Sequence, residues 1–354
     1  MLTTPSPIGL RRLNRQRIAH PSFDDAGQVA AWLGVLQGQD YLGTKWAFGL
    51  RLPHSTEAAI DQAIAAGTIL RTWALRGTLH YVAPADIHWL LALIGPRLIA
   101  GNATRYRQLE LDSATLTRAV DLIAAALQDG QRLARAELFA ILQANGISTA
   151  GQRGVYMLQR AGLERLIYQA AMQGGETTFR ALAPGPTLPP DQAVAELARR
   201  YFTSRGPATL ADFAYWAGLR ITEARASLAA LQSTLVEDRI DGQSYWQPAD
   251  EPPPPDRLID LLPGFDEFLL GYKDRSAVLD PQFADAICPG GNGVFYPTIV
   301  SAGRIIGTWK RALKKKAVEI TLQPFRPLRP DERDSLAEAA ARYGRFLGLP
   351  PILT

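Results

Sequence analysis

Gln37-Gly38-Gln39-Asp40-Tyr41 is the stretch of this 354-residue chain in which uncharged side chains are spaced to act together. Two glutamines one residue apart in an extended or turn segment project to the same side. There their amides offer donors and acceptors to one small species such as a water. The same string suits a plainer arrangement, with Gln37 as a polar helix end and Gln39 as a loop residue bonding backbone, and composition alone favours it. Asp40 precedes the short amphipathic run Tyr41–Leu52 and is expected to cap that helix rather than to act on a substrate.

Other chemistries find little support. One cysteine, Cys288, and four scattered histidines, His20, His54, His80 and His88, give no pair at metal-ligand spacing. There is no glycine-rich phosphate loop of either common type and no G-x-S-x-G elbow. No metal and no cofactor is expected. A lone cysteine excludes an internal disulfide framework and points to a reducing compartment. The amino-terminal residues show no charged region followed by an apolar one, so no secretory leader is predicted. Apolar stretches are short: Trp89–Ile94 is stopped by Gly95-Pro96-Arg97, too short to span a bilayer. The expected location is therefore the cytoplasm.

Lys and Arg exceed Asp and Glu by 38 − 34 = 4, a mild attraction to polyanions that decides nothing alone. Its distribution says more. Arg304, Lys310, Arg311, Lys314, Lys315 and Lys316 crowd one segment with no acid between Arg304 and Lys316, although such a run also suits a solvated turn.

The elements around these residues repeat one order. Ser55–Val82, Arg132–Ala183 and Asp191–Gln247 each read as a polar-capped helix, a second helix and two β-prone runs about a glycine-containing turn. These are helix-turn-helix units with a β-hairpin wing. The copies share little residue identity, so the repeat is architectural. Pro184–Pro190 and Pro252–Pro255 read as linkers. After about residue 256 strands are expected at Leu258–Leu262, Val294–Val300, Arg304–Trp309 and Ala317–Leu322, with a closing helix from Pro330 to Leu347. The predicted fold class is α+β, mainly helical: three tandem winged-helix units and a small carboxy-terminal β-rich module. The expected domains are 1–100, a first winged helix behind the basic leader Arg11–Arg17; 101–185, a second with connecting helices; 190–250, a third; and 256–354, the β-rich module.

Several strings resemble one family. They are Leu36–Tyr41 with Trp46–Arg51, Arg76–Pro84, Leu262–Arg275, and Asn292–Thr298 with Gly303–Trp309. Together they are similar to the bacterial winged-helix DNA glycosylases, the AlkZ-like and YcaQ-like proteins, and they span most of the chain. The resemblance implies three tandem winged helices forming a C-shaped, DNA-embracing surface. It also implies a catalytic Gln-aliphatic-Gln or Gln-aliphatic-Asp motif, matched here by Gln37 and Gln39 of the double-glutamine branch. It reverses the balance in favour of a functional amide pair. The departure is Gly38, where the family has an aliphatic residue; glycine loosens the backbone and removes a packing anchor.

The implied activity is monofunctional hydrolysis of the N-glycosidic bond of alkylated purines of the N7-alkylguanine type, bulky or crosslinked ones included, in duplex DNA. Lys45, about one and a half helical turns past Gln39, is expected to contact phosphate rather than attack the sugar. Arg71 and Arg76 are candidate backbone clamps. His80 could touch phosphate or lesion, or simply pack in the wing. Gln152 and Arg153 are candidate groove contacts, and Lys310 and Lys314 candidate phosphate contacts. The expected partner is double-stranded DNA, with no membrane, bound by a monomer associated with the bacterial nucleoid. A non-catalytic winged-helix transcription regulator is the alternative, opposed by the lack of an evident dimerisation heptad.

Overall fold

The computed structural model describes residues 4–250, 253 and 257–354. The linker Pro252–Pro255 lies, apart from Pro253, outside the described residues. By packing, the chain forms two units: Met1–Asp61 with Ala195–Thr354, and Gln62–Val194. The first unit is discontinuous because its beginning and end share one core.

That core is built on a five-stranded sheet. Its order is Pro351–Leu353, Val318–Pro324, Arg304–Leu313, Thr298–Ser301 and Ile259–Leu262. Neighbours are antiparallel except the first pair, which is parallel. The helix Pro330–Leu347 packs on this sheet and presents Tyr343 and Phe346 to Trp46, ring centroids 5.0 and 5.1 Å apart. The indole N–H of Trp46 donates to the Leu261 carbonyl at 2.7 Å. The helix Tyr41–Gly49 is thereby fixed to a strand more than two hundred residues away in sequence. The carboxy-terminal β-rich segment thus shares its core with the amino-terminal helices.

The expected basic leader is the helix Pro7–Arg15, opened by Ser6, whose hydroxyl accepts the Gly9 N–H at 2.9 Å. Gly9 approaches Gly303 so closely that a Cβ would stand 1.9 Å from the Gly303 carbonyl oxygen. Gly303 itself turns at φ 78°, so neither position accepts a side chain. Arg12 is buried over the Tyr272 ring at 3.5 Å and donates to the Pro207 carbonyl at 3.0 Å. Arg15 is buried and pairs with Asp250. These arginines brace the fold; they are not a solvated basic tail.

Also in the first unit, Leu210–Ala217 and Ile221–Ala229 precede a hairpin of Leu235–Ile240 and Gln243–Pro248. Thr209 and Asp212 start the first of these helices with reciprocal 3.0 Å bonds. Asp241 and Gly242 at the hairpin tip both take positive φ, which that turn requires.

In the second unit the strands Leu79–Val82, Leu70–Trp73, Ile167–Gln169, Thr178–Ala181 and Arg132–Ala134 lie in that order, antiparallel throughout. The two expected wings are joined edge to edge, at Arg71 opposite Gln169. The helices Ile87–Gly101, Ser113–Ala126, Arg135–Ala144 and Arg153–Leu163 surround them. Proline at 96 ends the apolar run but not the helix. The stretch expected as a first linker is anchored: Gly185 sits against the His88 ring, where a Cβ would be 2.3 Å away, and Pro190 begins the helix Pro190–Arg205. No helix among the described residues is long and apolar enough to cross a membrane.

Candidate active site

The helix Ala26–Leu33 ends at Gly34, and the chain runs through Val35 into the two-residue strand Leu36–Gln37. The next helix, Tyr41–Gly49, begins after Asp40, which caps it by accepting the Gly43 N–H at 3.0 Å. Gln37 and Gln39 therefore occupy a tight connection held at both ends. Thr44, buried one turn inside the helix, shares its hydroxyl between the carbonyls of Gln37 at 3.0 Å and Asp40 at 2.6 Å.

The two amides are not equivalent. Gln37 is 6% exposed, and its side-chain oxygen accepts the backbone N–H of Gln39 at 2.5 Å. That bond closes a loop around Gly38 and limits the freedom glycine would otherwise bring. Gln39 is exposed. A carbonyl oxygen has two acceptor sites, so Gln37 keeps one for a further partner.

Beneath the connection lies a buried ion pair. Glu267, 1% exposed, accepts the Gln37 N–H on one carboxylate oxygen at 3.2 Å. Its other oxygen accepts from Arg205 at 3.0 and 2.8 Å and from the Trp216 indole N–H at 3.0 Å. Arg205 also donates to the carbonyls of Leu33 at 2.8 Å and Val35 at 3.0 Å. Its guanidinium lies 4.3 Å from the Trp216 ring centroid. Nearby, Arg51 and Asp266 form a second buried pair, bonded twice at 3.0 Å. The Tyr272 hydroxyl, its pKa pushed up to about 12 by burial, donates to the Arg205 carbonyl at 2.7 Å.

Charge on the exposed side is mixed. Lys45 is buried, its ammonium held by Glu57 at 3.0 Å and Asp61 at 2.9 Å, with the Tyr41 hydroxyl also on Asp61 at 3.3 Å. Two carboxylates against one ammonium leave a net negative charge. Asp40 faces Arg311 at 3.7 Å. Strand alternation turns Arg311 inward and Lys310 outward, so the hairpin that ends in Lys314, Lys315 and Lys316 starts beside the glutamine connection. A cleft of about 440 Å³ lined by Trp46, Gly49, Leu50, Arg257 and Arg342 contains neither glutamine.

The remaining predicted residues divide. Gln37, Gln39, Lys45, Lys310 and Lys314 belong to the first unit; Arg71, Arg76, His80, Gln152 and Arg153 belong to the second. Lys45 directs its ammonium into the carboxylates of Glu57 and Asp61. Arg71 is buried and bonds Gln169 at 2.8 Å, a strut between hairpins. His80 is buried, and its Nδ1–H donates to the Thr78 carbonyl at 3.0 Å. Arg153 binds the carbonyls of Ser148, Leu109 and Glu110. Gln152 accepts from Arg105 at 2.6 Å. Arg76 and Lys310 are exposed, as is Lys314, which pairs at the surface with Glu319 at 3.3 Å. The residues missed by sequence reasoning are Glu267, Arg205 and Trp216. Two adjacent carboxylates, Asp266 and Glu267, inside an apolar run were the available signal.

Fold and site define a mainly helical α+β protein of helix–helix–hairpin blocks, with a basic hairpin beside a braced glutamine pair. A match to the family described as DNA glycosylase AlkZ-like covers residues 30–346, so the chain belongs to the AlkZ-like DNA glycosylases, a family of enzymes. A similar protein from Streptomyces sahachiroi, named interstrand DNA cross-link repair glycosylase, is 26% identical over 372 residues, 96% of this chain and 95% of its own. The solved structure of Streptomyces sahachiroi DNA glycosylase AlkZ has the same fold, with a TM-score of 0.80 at 23% identity over 98% of both chains.

Proposed function

We propose that this enzyme, working as a monomer on duplex DNA, hydrolyses the glycosidic bond of N7-alkylated purines with a water held between Gln37 and Gln39, and does not cut the strand. The observation that carries this reading is the fixed Gln37 carbonyl: buried, pinned by the Gln39 N–H, and retaining one acceptor site next to an exposed second amide.

Alkylation at N7 places a positive charge on the base, so the leaving group departs without being protonated. The water oxygen forms the new bond to C1′ as the C1′–N9 bond breaks. The bonding pair passes to N9 and neutralises the base, and the excess proton is released to solvent. What the protein must supply is position for the water and a field that tolerates a cationic sugar. Neutral amides orient the water without requiring a buried carboxylate. The start of the Tyr41 helix would oppose positive charge, and Asp40 offsets it there. The surplus carboxylate of the Lys45 cluster acts in the same sense. Lys45, locked between two acids, does not serve as the amine that a strand-cutting glycosylase needs.

Crosslinked and bulky adducts are included because the Streptomyces sahachiroi relative is named for interstrand crosslinks. An exposed glutamine outside the cleft suits a large adduct. The exposed lysines of the 304–324 hairpin supply the phosphate contacts.

The test is release of N7-methylguanine from duplex DNA by the wild type, Gln37→Ala and Gln39→Ala. Release that disappears in both variants while DNA binding persists supports the proposal. Release that survives both substitutions, or wild-type binding without release, overturns it.

A further inference from the structure

We infer that Glu267 and Arg205 are positioning residues for the reaction: a buried ion pair that reads the backbone from Leu33 to Gln37 and sets the Gln37 amide in place. The inference rests on the reading of Gln37 as one of the water-holding pair.

The contacts fall at alternate residues. Arg205 takes the carbonyl of Leu33 and that of Val35, and Glu267 takes the N–H of Gln37. Gly34 turns the chain out of the helix at φ 74°, so the last helical carbonyl, that of Leu33, and the carbonyl of Val35 converge on one guanidinium, and a slip of one residue would offer Arg205 and Glu267 the wrong groups. The pair thus specifies register as well as location. Both side chains lie almost wholly out of solvent, where an unmatched polar group is strongly disfavoured and the geometry is correspondingly stiff. Trp216 fixes the rotation of the carboxylate through a further bond to the oxygen that faces Arg205. The chain then passes from Gln37, through the loop closed by its own side chain, to Gln39. The bond around Gly38 fixes the Gln37 side-chain amide relative to the Gln39 backbone. The ion pair fixes the Gln37 backbone relative to the core.

Glu267 meets donors at both ends of its carboxylate. A glutamine of the same shape accepts at one end only, and its amide N–H groups oppose either the Gln37 N–H or Arg205 and Trp216. Glu267→Gln is therefore a nearly isosteric test.

Two readouts separate this inference from the glycosylase reading. The first is amide hydrogen exchange of the peptide 33–39, with the peptide 318–324 as internal control. We expect exchange of 33–39 to rise about ten-fold or more in Glu267→Gln while the control is unchanged, as local opening implies. The second is single-turnover release of N7-methylguanine at saturating enzyme, well below the melting transition. We expect it to fall about ten-fold or more with DNA affinity held within about two-fold, the pattern of a lost transition-state interaction. Should Glu267→Gln fail to fold, Trp216→Phe removes one donor without a charge change, and both effects are expected in the same direction at about two- to five-fold. Unchanged exchange at 33–39 overturns the inference, and so does faster exchange with undiminished release. If Gln37→Ala keeps full activity, the glycosylase reading of Gln37 fails, and with it the catalytic purpose of the clamp. The exchange result still shows whether the pair holds the segment.

Discussion

The side-chain oxygen of Gln37 accepts the backbone N–H of Gln39 at 2.5 Å, which makes one glutamine the anchor and the other the outward arm. A matched pair of free amides would have given substitutions of equal effect. The asymmetry predicts different ones. Gln37→Ala removes a buried acceptor and leaves the Gln39 N–H unmatched, so it is expected to lose base release and about 1–2 kcal/mol of stability. Gln39→Ala removes an exposed side chain and is expected to lose base release with stability changed by less than about 0.5 kcal/mol. Thermal or urea melting of the two variants checks this. Equal losses of stability would contradict the anchor-and-arm arrangement.

Lys45 supports a second prediction. Its ammonium is held by Glu57 and Asp61. Borohydride treatment during turnover is expected to trap no enzyme–DNA adduct. Lys45→Met is expected to keep base release within about three-fold, apart from a stability loss of about 1 kcal/mol because both acids remain partly solvated. An adduct that disappears in Lys45→Met would show that the lysine does reach C1′.

The hairpin lysines are exposed and begin next to Asp40 through Arg311. Each of Lys310, Lys315 and Lys316 replaced by Ala is expected to lower the slope of log affinity against log salt by about 0.9, one condensed counterion apiece. Lys314→Ala is expected to lower it less, since Glu319 already faces that charge at 3.3 Å. Titration of duplex DNA at several salt concentrations reads the slope directly. Slopes identical to wild type would place the phosphate contacts elsewhere.

What sequence reasoning reached, and what it missed, follows from the range of the interactions. Asp40 as a helix cap was legible because capping is decided within three residues. The hairpin turning at Asp241-Gly242 was legible for the same reason, as was the Pro330–Leu347 helix. Glu267 and Arg205 lie 62 residues apart, and Trp46 meets Leu261 across 215. No local pattern records such contacts. Arg12, Arg71 and Arg153 read as free cations because capture of a guanidinium by distant backbone or side-chain acceptors depends on what folds over it. The two acids on Lys45 were not legible because they lie on another helix. The joining of two wings at Arg71 and Gln169 was likewise invisible, since either hairpin alone satisfies its own turn.

Glu332, buried in the first turn of the Pro330 helix, yields a prediction about acid. Burial would raise its pKa, but the hydrogen bonds from Arg326, the Arg329 N–H and Ser301 outweigh that and hold it at about 2, below an ordinary 4.5. A depressed folded-state pKa means that the unfolded chain binds the proton more readily. The stabilisation is therefore complete above about pH 4.5 and is lost as pH falls toward 2. A gap of that size corresponds to about 3 kcal/mol. Because the sheet beneath this helix also carries Trp46 and thus the Tyr41 helix, acid should loosen the glutamine connection along with the helix. Urea melts of wild type and Glu332→Gln are expected to differ by a constant amount above about pH 5 and to converge as pH drops through the window between 4.5 and 2. A difference that persists unchanged to the acid end would mean that Glu332 acts through packing rather than through its charge.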